Sequence, residues 1–280
     1  MWTVDRPDYD VKDTFELCIS RIRKRTLRER MNNVTGAIVN ASTDYAYNAD
    51  NQTLHLFPKE DNVIGIVTRD EMISNYDNRF AKKDSPARCI YDAIKLLPDN
   101  DTCPFCGNGI VSTLDHILPK TVYPVIAVTP DNLVGCCSDC NKAKLDQSPN
   151  SASEVPLHPY FDKVEDKDWL TAEVVEGPIP AVLFHVAYQD DWTVELNSRL
   201  ANQFNTLDLG GLYSKLAARE ISGQKRILMS FFNDGGAQAV REELSRKHDS
   251  WKAFRRNCWQ SVTFLSLSQS EWFCSTGHAL

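Results

Sequence analysis

Apolar residues recur along most of the chain at helical spacing. Val11, Phe15, Cys18, Ile19, Ile22 and Leu27 fit one helix over 11–31. Residues 33–67 are more polar, with a turn signal at Asn48-Ala49-Asp50-Asn51 and a short β-branched run, Val63–Val67, that predicts a strand. Thr68 with Glu71 forms a capping box ahead of the stripe Met72, Ile73, Tyr76, Phe80. Ser85-Pro86 predicts a second helix start, followed by Ala87, Ile90, Ile94 and Leu97. Pro98-Asp99-Asn100-Asp101 ends that stripe.

Further on, 110–115 and 132–134 predict short strands, and a helix starts near Asn141. Ser148–Pro156 is a polar Ser/Pro/Asn stretch, the best candidate boundary. Ala172–Val175 and Ala181–Ala187 predict a pair of strands around a Gly-Pro turn. Residues 193–264 are mostly helical in pattern, broken at Asp208-Leu209-Gly210-Gly211 and Asn233-Asp234-Gly235-Gly236. The expected fold class is α+β and helix-rich. Three regions are expected: a helical or mixed one over 1–84, a compact core over 85–150, and a mixed, then helical, one over 151–280.

Composition narrows the class. The 280 residues hold 31 Lys+Arg and 38 Asp+Glu, a net charge of −7, which argues against a protein that coats nucleic acid non-specifically. No run approaches the length of a membrane span, and the N-terminus lacks the apolar core of a signal peptide, so a cytoplasmic protein with no membrane partner is expected. A basic run, Arg21, Arg23, Lys24, Arg25, Arg28 and Arg30, reads either as a solvated helix face or as a surface that contacts phosphates or a partner.

Nine cysteines are many for such a chain, and five of them lie between 103 and 140. Cys103/Cys106 and Cys137/Cys140 form two Cys-x-x-Cys pairs, the spacing that closes a tetrahedral structural zinc site. Cys136 competes with Cys137, but only Cys137 has the required spacing to Cys140. Four reduced buried thiols, or a redox pair, are the alternatives. Between the pairs, Asp115-His116 ends the first strand, Asn132 opens the second, and Asn141 follows the second cysteine pair.

Asp115-His116, Asn132 and Asn141, framed by the two cysteine pairs over about 45 residues, resemble the HNH endonucleases. That resemblance implies a zinc-pinned ββα-metal finger embedded between helical segments. The wider context includes Ser85-Pro86-Ala87-Arg88, Tyr91-Asp92, Pro119-Lys120, Tyr123-Pro124 and His158-Pro159-Tyr160-Phe161-Asp162. Over about residues 65–220 it resembles bacterial HNH proteins of the Septu and retron-associated anti-phage type, the PtuB-like subunits that work beside an ATPase.

The resemblance implies a function: metal-dependent hydrolysis of DNA, expected to be double-stranded, as the effector of a defence system with an ATPase partner. His116 would be the general base. Asp115 and Asn141 would hold Mg²⁺ or another divalent ion at the scissile phosphate and 3′ oxygen. Asn132 would hold the loop that positions His116, and zinc on the four cysteines would be scaffold, because four thiolates leave no open position. Each residue also has a plainer reading. His116 and Asp115 could be a buried hydrogen-bonded pair, and Asn132 and Asn141 cap or turn residues. Lys120, Lys142, Lys144 and Arg88 could contact phosphates or solvent. His158 fits a structural turn, or indirect support of the site.

Residues 86–150 hold five basic and seven acidic side chains, 5 − 7 = −2. This segment alone supplies little affinity for phosphates, so flanking helices or a partner are expected to deliver the substrate. The competing function is a non-catalytic zinc-knuckle interaction module, which would need only the cysteines.

Overall fold

The computed structural model describes residues 1–280, in two compact units, Met1–Lys163 and Val164–Leu280. The first unit opens with three helices, α1 (Val11–Ile19), α2 (Arg25–Asn33) and α3 (Thr35–Asp50). The single helix expected over 11–31 is two, because the chain turns over Ser20–Lys24; buried Ile22 anchors that turn. Val63–Val67 is not one strand but a minimal hairpin, β1 (Asn62–Val63) against β2 (Val67–Thr68). Ile64 and Gly65 both take positive φ (45° and 72°), the geometry of a tight hairpin turn.

Thr68 accepts from Glu71 N–H and Glu71 returns the bond, so the capping box starts α4 (Arg69–Asn75) as its sequence predicts. The helix widens into a π turn over Tyr76–Phe80. The next helix, α5 (Arg88–Lys95), starts later than Ser85-Pro86 suggests: Ser85 Oγ has no hydrogen-bond partner and caps nothing.

The centre of this unit is a ββα element. β3 (Thr113–His116) pairs antiparallel with β4 (Leu133–Cys136), with Asp115 opposite Val134 and His116 opposite Leu133. The helix α6 (Ser138–Lys144) follows at once and packs on β3.

Residues 1–84 and 85–150 therefore share one unit rather than forming two regions, and the division falls at 163/164 rather than 150/151. Physical contacts explain both differences. Trp2 N–H donates to Pro104 O (2.8 Å), Arg6 pairs with Asp131 (2.7 Å), and Tyr76 packs edge-on to His116. The polar stretch after Ser148 is no linker, since Val155 and Leu157 are fully buried and the His158–Asp162 turn is tied to the segment that leads into β4.

In the second unit, β5 (Leu170–Val175) and β6 (Ala181–Val186) form the expected hairpin. It packs on α8 (Leu209–Phe254) and α9 (Trp259–Gln269), with α7 (Val194–Thr206) before them and the short α10 (Glu271–Ser275) after. The two predicted breaks appear as a left-handed Asp208 (φ 46°) before α8 and a non-helical Gly236 (φ 67°) inside it. No helix is long and apolar enough to cross a membrane.

Buried Asn257, itself at φ 57°, joins this unit's strand and helices. Its Oδ1 accepts from the backbone N–H of Trp169 (3.0 Å) and Leu170 (3.1 Å), and its Nδ2 donates to Lys167 O (2.8 Å). Asn257→Ala strands these groups in a dry interior, and chemical denaturation is expected to show a loss of about 3 kcal/mol.

Candidate metal centre and adjoining polar site

Two knuckles build the cysteine cluster. In the first, Gly109 N–H donates to Cys106 Sγ (3.3 Å), and Gly107 N–H donates to Cys103 O (2.8 Å). Gly107 sits at φ 62° against the Trp2 ring, where a Cβ would come within 2.9 Å of the indole; a Cβ on Gly109 would lie 2.8 Å from Cys137 Sγ. Both positions demand glycine. In the second knuckle Cys137 is the N-cap of α6, its sulfur accepting from Cys140 N–H (3.5 Å).

The four sulfurs lie within 4.8 Å of one another, all buried, and Cys106 Sγ is 3.9 Å from Cys137 Sγ. A tetrahedral Zn–S₄ site with 2.3 Å bonds has sulfur–sulfur edges of about 3.8 Å. A disulfide would need about 2.05 Å. The cluster thus has the dimensions of a tetrahedral thiolate metal site. Four thiols this close cannot all ionise without a cation to offset their charge. Cys136, the competing ligand, lies outside the cluster as the buried last residue of β4.

Asp115 and His116 are consecutive on β3 and point to opposite sides. Asp115, 6% exposed, turns to α6, where Lys144 Nζ lies 3.0 Å from its Oδ2. That oxygen faces no other polar partner, and the same ammonium also donates to His116 O. Burial raises the Asp115 carboxyl, and Lys144 opposes the rise.

His116, 8% exposed, turns towards the loop between the strands. Its Nε2 lies 2.9 Å from Ala127 O. A carbonyl only accepts, so Nε2 carries the proton and Nδ1 keeps its lone pair. Burial, helped by the ammonium groups of Lys120 and Lys144, drives His116 down to about 3, so the imidazole is neutral at pH 7. The Tyr76 ring stands edge-on to it at 4.5 Å, and Lys120 Nζ lies over that ring at 4.3 Å while pairing with Asp77 (2.8 Å).

Asn132 is fully buried and braces this loop. Its Oδ1 accepts from Leu118 N–H (2.8 Å), and its Nδ2 donates to Leu118 O (3.0 Å) and Ile126 O (3.3 Å). The side chain therefore clamps both rims of the loop, next to the carbonyl that orients His116. It sits in a helical turn, Pro130–Asn132, just ahead of β4 rather than opening the strand.

His158 adds a further brace. Its Nδ1 accepts from Tyr160 N–H (3.2 Å), while Nε2 lies 3.0 Å from Asp131 O and 3.1 Å from Tyr45 Oη. Tyr160 Oη donates to Leu133 O (2.7 Å). The His-Pro-Tyr-Phe-Asp turn thus grips the residues on either side of Asn132.

Asn141 lies half-buried on α6 and makes no side-chain hydrogen bond. The structure therefore brings Asp115, His116 and Asn132 into one braced element and puts Asn141 on the helix that covers it. Among the cations left open by the sequence, Arg88 is consumed by Asp92 (2.9 Å), Ala81 O and the Tyr91 ring. Lys142 is exposed, and Lys120 belongs to the Tyr76–His116 stack.

Lys144 is the residue that sequence reasoning undervalued: it is 7% exposed and ion-paired, not solvated. The available signal is its helical spacing four residues after Cys140, which puts both on one face of α6. Removing one partner of a buried pair leaves the other charge uncompensated. Lys144→Met is expected to cost about 3–5 kcal/mol in chemical denaturation. Asp115→Asn added to it is expected to restore much of that loss.

Comparison with known proteins gives one relative among curated sequences: Protein ea31 of Escherichia phage lambda is 34% identical over 165 residues, covering 57% of this chain and 55% of that protein. The chain thus spans about half the length of the relative it matches. No family model matches the chain. No solved structure matches it either.

Proposed function

We propose that this protein is an HNH-type, metal-dependent endonuclease that hydrolyses DNA phosphodiester bonds, with structural zinc on Cys103, Cys106, Cys137 and Cys140. The observation that carries the reading is the geometry of His116: Nε2–H is fixed on Ala127 O, which leaves Nδ1 as the unprotonated ring nitrogen, on the strand that also carries the buried Asp115. A binding module held by its cysteines has no need of that arrangement.

Hydrolysis needs a base for the attacking water. His116 Nδ1 takes the proton as the water oxygen bonds to phosphorus and the P–O bond to the leaving oxygen breaks. The carbonyl of Ala127 holds the ring in one tautomer and stabilises the imidazolium that forms. Asn132 fixes that carbonyl through the loop. Asp115 and Asn141 are the residues that would hold Mg²⁺. The donor set fits: Asp115 Oδ2 is a buried oxygen whose partner is already a cation, Lys144, and the Asn141 amide is uncommitted. When bound, the ion supplies charge neutralisation at the phosphoryl and leaving oxygens.

In this reading the substrate is double-stranded DNA, and the protein is the nuclease effector of a cytoplasmic anti-phage system, working with an ATPase. What supports that context is the run of motifs from Ser85 to Asp162. The alternative, a non-catalytic zinc-knuckle module, would leave His116 free of any role in activity.

Plasmid nicking tests the proposal. Wild type with Mg²⁺ is expected to nick and linearise supercoiled DNA, and EDTA to stop it. His116→Ala is expected to lower the rate by about a hundred- to ten-thousand-fold, the range for a lost general base. Equal activity in both proteins would refute the base. No cleavage with Mg²⁺, alone or with the ATPase, would favour the module.

A further inference from the structure

The basic run near the N-terminus is not spread along one helix face. Its residues fall on the turn between α1 and α2 and along α2, where Arg30 in the last turn pairs with Glu71. Residues 20–28 hold five basic side chains and no acidic one. Arg21 donates to Asp84 O (2.9 Å), which ties this turn to a second basic segment: residues 79–84 hold three basic side chains and one acidic. Arg79 is close enough to α1 for its charge to act on the Cys18 thiol, and α1 packs against the Tyr76–Phe80 turn. Two segments more than fifty residues apart thus form one surface of eight cations in a chain of net charge −7.

Most of this charge is uncompensated. Arg25 pairs with Glu29 (2.7 Å), but Arg23, Lys24, Arg28, Lys82 and Lys83 are exposed and make no ion pair. Several basic residues of the second unit are paired instead. Lys252 pairs with Asp168, Arg255 with Glu165 and Arg241 with Glu271. The α1–α2 surface is therefore a place where cations await an external anion.

Its position gives it a use. The Tyr76–Phe80 turn carries Tyr76 against His116 and Arg79 towards α1. We propose that Arg23, Lys24, Arg28, Lys82 and Lys83 form a docking surface for the sugar-phosphate backbone of duplex DNA, linked to the His116 site through the Tyr76–Phe80 turn. The inference rests on the nuclease reading for its choice of polyanion. It also supplies the phosphate contacts that the −2 charge of residues 86–150 cannot.

The test is fluorescence anisotropy of the full chain on a 30-base-pair duplex across a salt series, using His116→Ala so that DNA stays intact. Arg23→Gln/Lys24→Gln/Arg28→Gln is expected to weaken binding at least tenfold at 100 mM salt. The slope of log K against log salt is expected to fall by about two to three, near 0.9 per lost phosphate contact. Lys82→Gln/Lys83→Gln is expected to act in the same direction. Lys215→Gln/Arg219→Gln/Arg226→Gln, exposed cations of the second unit, is expected to leave binding unchanged, and circular dichroism melts check that all variants are folded.

Equal effects from both triple variants, no effect from the first, or no DNA binding by the parent would overturn the surface. Patch-dependent binding to anionic lipid vesicles without binding to DNA would overturn the choice of partner. Failure here is separable from failure of the nuclease reading. Patch-dependent binding with no cleavage by wild type keeps the surface and removes the enzyme. Cleavage that ignores the patch does the reverse.

Discussion

The ββα element at the centre of the first unit depends on bringing two short cysteine turns together. Cys103 and Cys106 lie before β3, Cys137 and Cys140 after β4, and their sulfurs meet within 4.8 Å. A two-stranded sheet of four residues per strand is marginal by itself in water. Closing the cluster turns the 30 residues between Cys106 and Cys137 from a long free segment into a loop pinned at its base. The strands then have a fixed register, and α6 starts within the cysteine cluster because Cys137 is also its N-cap.

The loop between the strands is fixed by polar side chains rather than by a core of its own. Asn132 clamps its rims, the His158 turn grips the residues beside Asn132, and Tyr45 reaches the same histidine from α3. Buried polar groups are costly unless every one is satisfied. The reward is orientation: the chain of bonds ends on Ala127 O, which sets the tautomer of His116. Lys144 plays the corresponding part for Asp115, keeping a buried carboxylate in contact with a positive charge.

The legible features were those written in local spacing. The cysteine pairs, the Thr68–Glu71 capping box, the strand pair over 170–186 and the breaks at Asp208 and Gly236 each depend on neighbours within a few residues. The features that escaped depend on distant partners. Ile22 breaks the first helix by finding a buried site, and Val63–Val67 folds back at Ile64-Gly65 to form a hairpin. Ser148–Pro156 looks like a linker in composition, yet Val155 and Leu157 are core residues. In the site, the motif singles out Asp115, His116 and Asn132 as candidates. It does not single out Lys144 and Tyr76, because a lysine and an apolar-stripe tyrosine gain their contacts only from what the fold sets beside them.

The four-cysteine closure is the primary constraint, and thiol titration followed with a zinc-sensitive dye tests it most directly. It predicts that Cys103, Cys106, Cys137 and Cys140 of the native protein react slowly and together, releasing about one zinc per chain. Exposed Cys89 should react first and release none. Four freely reactive thiols in this cluster, with no zinc released, would contradict the account.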